Sequence, residues 1–489
     1  MNRTVIGVNR RVAICVCALS LALLGSPGPV AQPAQGREPS PARVEPNPEL
    51  TAALSAVPPA GSGEAMNAGD FALLALIASG ADRTATRSLA SALGALGKEF
   101  ASSLPEDADS RTRGDLALRF LYDRVLSRYS EFQTRVDVAL DKGTYNCVSS
   151  AVLYYYFARV AGLQCEGVET PVHAFCTVAV NGKKIDVETT NPYGFDPGTK
   201  RELAGTNPNE TRYAVVPRSN YLNRKPIDER RLLALIYVNR AASLEKEGKF
   251  AEAAGIALDS WTLQATEAAR ADLAERCINY AASLSRAGTA AGSDAALDYI
   301  DECARRWGEY PRYREFAAAT VGTALNRLMD RGDYEGAFAL LDARASLLDR
   351  ATARSMRQLS VSNYLSAFAT KHSPEETLNE TERFGDILAD ADRAKVIAFA
   401  YGRASEELAR QGKWLEAAAV LDSGLAVLPD RAELVRARTA YRHNFAVEAH
   451  NRAAAAFNAG DGPGAKAIVQ EALRSVPEST LLKGDLSRF

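Results

Sequence analysis

Histidine and tryptophan are scarce in this 489-residue chain, and the scarcity narrows its chemistry. Four histidines occur, His173, His372, His443 and His450, scattered and unaccompanied by a paired-cysteine motif. That leaves no zinc pattern, and His443 and His450 stand two helical turns apart. No Gly-x-Gly-x-x-Gly or phosphate-loop motif sits between a strand and a helix, so no nucleotide cofactor is indicated. We expect no metal and no cofactor. An excess of either charge is missing too: 58 Lys and Arg against 60 Asp and Glu leave a net charge of −2. Without a basic stripe or a long acidic tail, composition points away from nucleic acid as a partner. No apolar run approaches the roughly 20 residues of a comfortable membrane span.

What is present begins with a leader. Residues 1–31 combine Arg3, Arg10 and Arg11 with the apolar run VAICVCALSLALL, the pattern of a secretory signal peptide. Its removal would give an exported, periplasmic or extracellular protein with no integral membrane domain; its retention would give an N-terminal anchor. Cys15 and Cys17 lie inside the run rather than after it, which argues against a lipidated cysteine. Residues 32–48, rich in proline and alanine, read as an extended linker. Short helical runs follow, broken at VPPAGSGEAM, and then an amphipathic helix from Arg113 to Tyr129 carried by Leu116, Phe120, Leu121 and Val125.

The chain is organised around YNCVSSAVLYYYFARVAGL, Tyr145 to Leu163. Val148, Ala151, Val152, Tyr155 and Ala158 recur at helical spacing, and Gly162 stands where a helix commonly ends in a left-handed residue. Cys147 therefore falls in the first turn. Unpaired amides and the positive end of the helix dipole favour a thiolate there, and such positions can bring a thiol from about 8.5 to roughly 3.5–7.5. The aromatic run Tyr154, Tyr155, Tyr156 and Phe157 points in all directions around a helix, so it reads as core rather than as a ligand platform.

Two strands follow, joined at Asn181-Gly182, a strong hairpin signal. His173 begins the first strand; Asp186 and Glu188 lie on the second. A thiol nucleophile needs an imidazole to take its proton and pass it to the leaving group, and an acid to orient the ring. With a two-residue turn, His173 faces Thr190, Phe175 faces Glu188 and Thr177 faces Asp186, all on one side of the hairpin. Glu188 is then the diagonal neighbour of His173. Asp186, two residues further along, is the alternative acid. Asn146 is a candidate oxyanion donor beside the backbone N–H of Cys147, and is equally well read as the helix cap. The turn-rich stretch PYGFDPGTKRELAGTNPNE after Asn191 reads as a long loop near the site.

This order of cysteine, histidine and acid resembles the transglutaminase-like superfamily over about Arg113 to Tyr221. His173-Ala174-Phe175 stands where many members have His-Ala-Trp, and Glu188-Thr189-Thr190-Asn191 resembles the family's Asp-Pro-Thr-Asn. The resemblance implies an α+β, papain-like core for residues 49–227, with Cys147, His173 and Glu188 as a catalytic triad. The longer acid departs from the family. All three tryptophans, Trp261, Trp307 and Trp414, lie beyond this segment, so the tryptophan that assists protein-crosslinking members has no counterpart and hydrolysis is favoured over transamidation.

From residue 228 to 489 the chain turns to alanine-rich helices. Gly248, Gly332, Gly412 and Gly460 are each followed five residues later by an alanine, Ala253, Ala337, Ala417 and Ala465. Pro429 and Pro477 follow their glycines by seventeen. The pattern resembles tetratricopeptide repeats, in which small residues let two helices approach closely. Spacings of 84 and 80 residues are close to twice 40, which places unmarked turns near Gly292 and His372 and gives about six helical hairpins. The fold expected is thus a transglutaminase-like α+β domain followed by an all-α solenoid. A generic helical array with no binding role is the competing account of the C-terminal half.

Beyond the leader five cysteines remain, Cys147, Cys165, Cys176, Cys277 and Cys303. Export permits bridges between Cys165 and Cys176 and between Cys277 and Cys303, each pair placed symmetrically about a predicted turn; chance spacing is the alternative. The function expected is cysteine-dependent cleavage of amide bonds in a peptide or protein substrate, with the repeats recruiting substrate or a protein partner. Two rivals stand beside it: an inactive thiol fold in a binding scaffold, and a transamidase.

Overall fold

The computed structural model describes residues 42–198, 213–214, 216–286 and 288–488. The signal segment 1–31, most of the linker and the loop residues 199–212 lie outside the described residues. The protein is mostly helical, with small sheets. One compact unit runs through Tyr313 and a second takes up from Arg314. The compositional change at Asp228 therefore does not coincide with the divide between units.

In the first unit, α1 (Pro48–Leu54), α2 (Ala68–Ser79), α3 (Arg83–Ser103), α4 (Ser110–Arg124) and α5 (Val136–Lys142) precede a central helix, α6 (Cys147–Val160). The amphipathic segment expected to stay helical to Tyr129 stops earlier. Val125 leaves the helical region at φ −129°, and Arg128–Tyr129 becomes β1, paired in parallel with β2 (Thr144–Tyr145). Helix α6 begins where its sequence says it should. Asn146 Oδ1 accepts the amides of Val148 and Ser149 while Ser149 Oγ takes the amide of Asn146, a reciprocal capping box. It ends with Gly162 at φ 73°. Every residue from Val148 to Ala158 is buried, the aromatic run included, so α6 is surrounded on all sides rather than amphipathic. Phe157, for example, packs against Phe100 and Phe120 at ring separations of 5.6 and 5.3 Å.

A four-stranded antiparallel sheet of β3 (Cys165–Glu169), β4 (Ala174–Val180), β5 (Lys183–Val187) and β6 (Lys225–Ile227) lies in the order β5-β4-β3-β6. The hairpin has the expected register, with Thr177 opposite Asp186 and Cys176 opposite Val187. Asn181 at φ 49° and Gly182 at φ 77° give the left-handed pair that a two-residue turn requires.

Helices α7 (Glu229–Lys246), α8 (Phe250–Gln264), α9 (Glu267–Ser285) and α10 (Ala290–Trp307) complete this unit as two hairpins. The described end of the linker is pinned to them rather than loose. The amide of Asn47 donates to Asp259 at 2.7 Å, the amide of Ala42 to the Tyr280 hydroxyl at 2.9 Å, and Arg306 to the Val44 carbonyl at 2.8 Å.

The second unit takes up within α11 (Pro311–Asp330) and continues with α12 (Tyr334–Ala343), α13 (Arg350–Phe368), α14 (Pro374–Glu382), α15 (Asp390–Arg410), α16 (Trp414–Val427), α17 (Ala432–Asn458), α18 (Gly462–Ser475) and α19 (Thr480–Leu486). Helical turns fall at Gly248, Gly332, Gly412 and Gly460 as the repeat spacing requires, and between α13 and α14 at His372, whose ring stacks on Phe368 at 3.8 Å. The turn expected near Gly292 is set instead by Gly288 at φ 67°, while Gly292 sits in the first turn of α10. The alanines marked by the repeat, Ala253, Ala337, Ala417 and Ala465, are all fully buried. A larger side chain at these positions would push paired helices apart. Among the described residues, no helix is long and apolar enough to cross a membrane.

Candidate active site

The capping box holds Cys147 at the first helical position of α6, half-buried, beside the strand hairpin. His173 precedes β4 at the close of a tight turn, where the amide of Thr170 donates to the His173 carbonyl at 2.8 Å. Its Nε2 lies 2.9 Å from Glu188 Oε2, and the Cys147 thiol is near enough to the ring to raise its basicity. The imidazole thus connects the thiol to the carboxylate, and both His173 and Glu188 are buried.

The structure brings Cys147, His173 and Glu188 together and directs Asp186 elsewhere. Asp186 forms a two-pronged pair with Arg224, at 2.7 and 2.9 Å, and the Arg224 guanidinium covers the Phe175 ring at 4.9 Å. The pleat explains the choice. Asp186 is directly opposite Thr177, whereas Glu188, past the end of β5, is close enough for its longer side chain to reach the histidine.

Asn146 is committed to the helix start. Its oxygen caps α6 and its Nδ2 donates to the Glu131 carbonyl at 3.0 Å. The cap takes the amides of Val148 and Ser149 and not that of Cys147, whose N–H is among the first four amides that a helix leaves without an internal acceptor. Of the two readings open to the Asn146 side chain, the structure shows the helix cap.

Glu188 is held from both sides. Oε1 accepts the amide of Thr190 at 3.1 Å and its hydroxyl at 2.7 Å, while Oε2 accepts the Tyr221 hydroxyl as well as His173. Behind it the amide of Glu188 donates to the Gly194 carbonyl at 2.8 Å. A Cβ at Gly194 would overlap the Glu188 carbonyl oxygen and lie 2.9 Å from its Cβ, so the close approach of the two segments requires glycine. Below the hairpin, Thr189 is tied to α6 by its hydroxyl at 2.9 Å from Ser150 Oγ and to α4 by its carbonyl at 3.0 Å from the Tyr122 hydroxyl.

Burial alone would lower the basicity of His173, but the Glu188 charge and the hydrogen bond with Cys147 outweigh it and push the imidazole up to about 10. Burial tends to raise Glu188, and the His173 charge with the His173, Tyr221 and Thr190 hydrogen bonds bring it below the usual carboxylate value. The pair is therefore ionic at neutral pH. Tyr129 stays a neutral phenol, raised by burial first and then by the neighbouring Cys147, Glu131 and Glu188 charges. Tyr129 and Tyr221 were not among the residues expected at the site. Tyr221 lies 33 residues beyond Glu188, and nothing local in its sequence signals the contact. The Thr190 contact is a short-range one of the kind Thr side chains and backbone commonly supply near a carboxylate.

The five cysteines beyond the leader are free thiols. The expected bridges are thus corrected, although the members of each pair are neighbours whose thiols influence one another: Cys165 and Cys176 across β3 and β4, and Cys277 and Cys303 between α9 and α10. Cys176 also donates to the Ala151 carbonyl at 3.4 Å. Among the described residues no cluster of His, Cys, Asp and Glu has the arrangement of a metal site, and His450 is paired with Asp485 at 2.6 Å.

No protein-family model matches the chain, and no curated protein matches it. Among solved structures, it is similar at 13% identity to menin, in a crystal structure described as revealing the binding site for Mixed Lineage Leukemia (MLL) protein. The match covers 76% of this chain and 90% of that one with a TM-score of 0.26, a likeness too slight to inform either fold or function.

Proposed function

We propose that the first unit is a transglutaminase-like, papain-like thiol hydrolase that cleaves amide bonds in peptides or proteins, and that the helical hairpins recruit substrate or a protein partner. The observation that carries this reading is the convergence of Cys147 at the start of α6 with the buried His173–Glu188 pair, whose basicity the thiol helps to raise. The sulfur attacks as the thiolate, with its proton held on His173. The carbonyl oxygen becomes an oxyanion received by the Cys147 backbone N–H. When the C–N bond breaks, His173 delivers its proton to the departing amine. It then takes a proton from water, whose oxygen attacks the thioester; the C–S bond breaks, and the acid leaves with the thiolate and protonated His173 restored. Glu188 fixes the ring and balances its charge throughout.

Hydrolysis is preferred to transamidation because no tryptophan occurs within the segment from Arg113 to Tyr221. Export, read from residues 1–31, belongs to the same proposal and would put the substrate in the cell envelope or outside the cell.

The test compares Cys147 labelling in three proteins. In wild type, iodoacetamide should label Cys147 at neutral pH far faster than it labels glutathione. Glu188→Gln should slow labelling, and Asp186→Asn should not. A wild-type rate no greater than that of glutathione, with Cys147→Ala leaving every phenotype intact, would sink the enzyme reading in favour of an inactive scaffold.

A further inference from the structure

Exposed apolar side chains are distributed unevenly over this protein. Among the described residues, the large hydrophobic side chains most open to solvent are Phe132 (79%), Tyr193 (74%), Val172 (68%) and Leu222 (64%). The next, Phe457, is 48% exposed and belongs to the second unit. Each of the four sits beside a residue that builds the Cys147 site. On either side of Phe132, the carbonyls of Glu131 and Gln133 receive Asn146 Nδ2 and Ser149 Oγ. Val172 immediately precedes His173 in the turn closed by Thr170. The amide of Tyr193 donates to Asn191 Oδ1 at 2.9 Å, and the following carbonyl, of Gly194, receives the Glu188 amide. Leu222 follows Tyr221, which donates to Glu188.

These exposed groups therefore stand on segments whose backbone is fixed by the site itself. Large apolar side chains left exposed on segments tied to one site are places where a ligand or partner can be received. Charge favours an apolar occupant as well. Glu188, Tyr193 and Tyr221 line a cavity of about 730 Å³ bordered by Arg111 and Arg119. Arg111 is already paired with Asp196, and Arg119 with Asp115 at 2.9 Å, so the arginines are neutralised within the protein. A cavity of this size, with its charges compensated, suits a large uncharged side chain.

Building on the thiol-hydrolase reading, we infer that Phe132, Val172, Tyr193 and Leu222 determine specificity, and that the substrate is a polypeptide segment carrying large apolar residues beside the cleaved amide. The peptide lays these side chains against the four exposed ones while its scissile carbonyl meets Cys147.

The experiment uses the full-length protein and peptidyl vinyl sulfones with leucine, phenylalanine, aspartate or lysine next to the electrophile, each compared with iodoacetamide. The leucine and phenylalanine probes should label Cys147 about tenfold faster than the charged ones, the scale on which apolar subsites discriminate. In the Val172→Ser/Leu222→Ser double variant, the apolar-probe rate should fall about tenfold relative to the same variant's iodoacetamide rate. Equal rates for all probes in a protein that iodoacetamide labels rapidly, or an apolar preference that survives the double substitution, would overturn this inference alone. Slow iodoacetamide labelling would overturn the hydrolase reading and this inference with it. Binding of wild type, but not the double variant, to phosphatidylcholine vesicles without probe preference would assign the surface to a membrane instead.

Discussion

His173 and Tyr221 meet on one oxygen atom, Glu188 Oε2: the ring nitrogen lies 2.9 Å from it and the phenol hydroxyl donates to it. The phenol also sets its ring edge-on to the imidazole at 5.8 Å and to Phe175 at 5.4 Å. Tyr221 thus closes the acid side of the site and helps to keep Glu188 ionised. Tyr221→Phe keeps the ring and deletes the donor. Glu188 should then take up its proton at a higher pH, moving the acid limb of Cys147 labelling upward. On that limb, below the pH at which wild-type Glu188 takes up its proton, the labelling rate should drop roughly tenfold, in keeping with loss of one hydrogen bond to a charged group at about 1.5 kcal/mol. A variant that lost stability with an unchanged pH profile would reduce Tyr221 to packing.

The ionic pair makes stability depend on pH with a definite sign. His173 is raised from 6.5 to about 10, so its contribution is complete below 6.5 and is lost as pH rises toward 10. Glu188 is lowered from 4.5, so its contribution is complete above 4.5 and is lost as pH falls through the lowered value. Wild type should exceed Glu188→Gln most between these ordinary values. Breaking one side of a buried pair costs roughly 3–5 kcal/mol. Urea midpoints should differ widely at pH 5.5 and converge by pH 10; a constant gap would contradict the assignment.

Gly194→Ala is expected to damage the site without touching a reactive group. The added methyl overlaps the Glu188 carbonyl and must push β5 and the following loop apart, an overpacking that costs roughly 1–3 kcal/mol. Thermal denaturation should show the loss, and Cys147 labelling should slow because Glu188 no longer meets His173. Wild-type values in both measurements would show that the loop yields freely.

Cysteine accessibility separates one thiol from four. Cys147 is half-buried, whereas Cys165, Cys176, Cys277 and Cys303 are buried. In the folded protein, iodoacetamide should modify Cys147 at least about 100-fold faster than the rest, which require opening of the structure. Mass spectrometry of the labelled protein without reductant gives the answer. Disulfide-linked peptides joining Cys165 to Cys176 or Cys277 to Cys303 would show that the neighbouring thiols oxidise in the native protein.

Much of the site was legible because its determinants are local. The start of α6 is written in Asn146 and Ser149, its end in Gly162, and the hairpin register in the two turn residues Asn181 and Gly182. Once that turn is set, the two-residue period of a strand puts Glu188 near His173 and Asp186 farther off. Repeat glycines and the buried alanines that follow them likewise report on contacts within a single hairpin.

Other features depend on residues far apart in the chain, where no local period carries information. Tyr221 reaches Glu188 from beyond a long loop, Asp186 is claimed by Arg224, and the linker end is fixed by Asp259, Tyr280 and Arg306. The helix expected to reach Tyr129 yields to a strand because the segment at Arg128–Tyr129 pairs with Thr144–Tyr145, and that sheet contact overrides helical periodicity. The sequence by itself determined the helix start that holds Cys147, the turn that aligns its two partners and the spacing of the hairpins. Only the tertiary structure decided which buried groups share the Glu188 carboxylate, because such contacts form when distant segments pack together and desolvate the same few atoms.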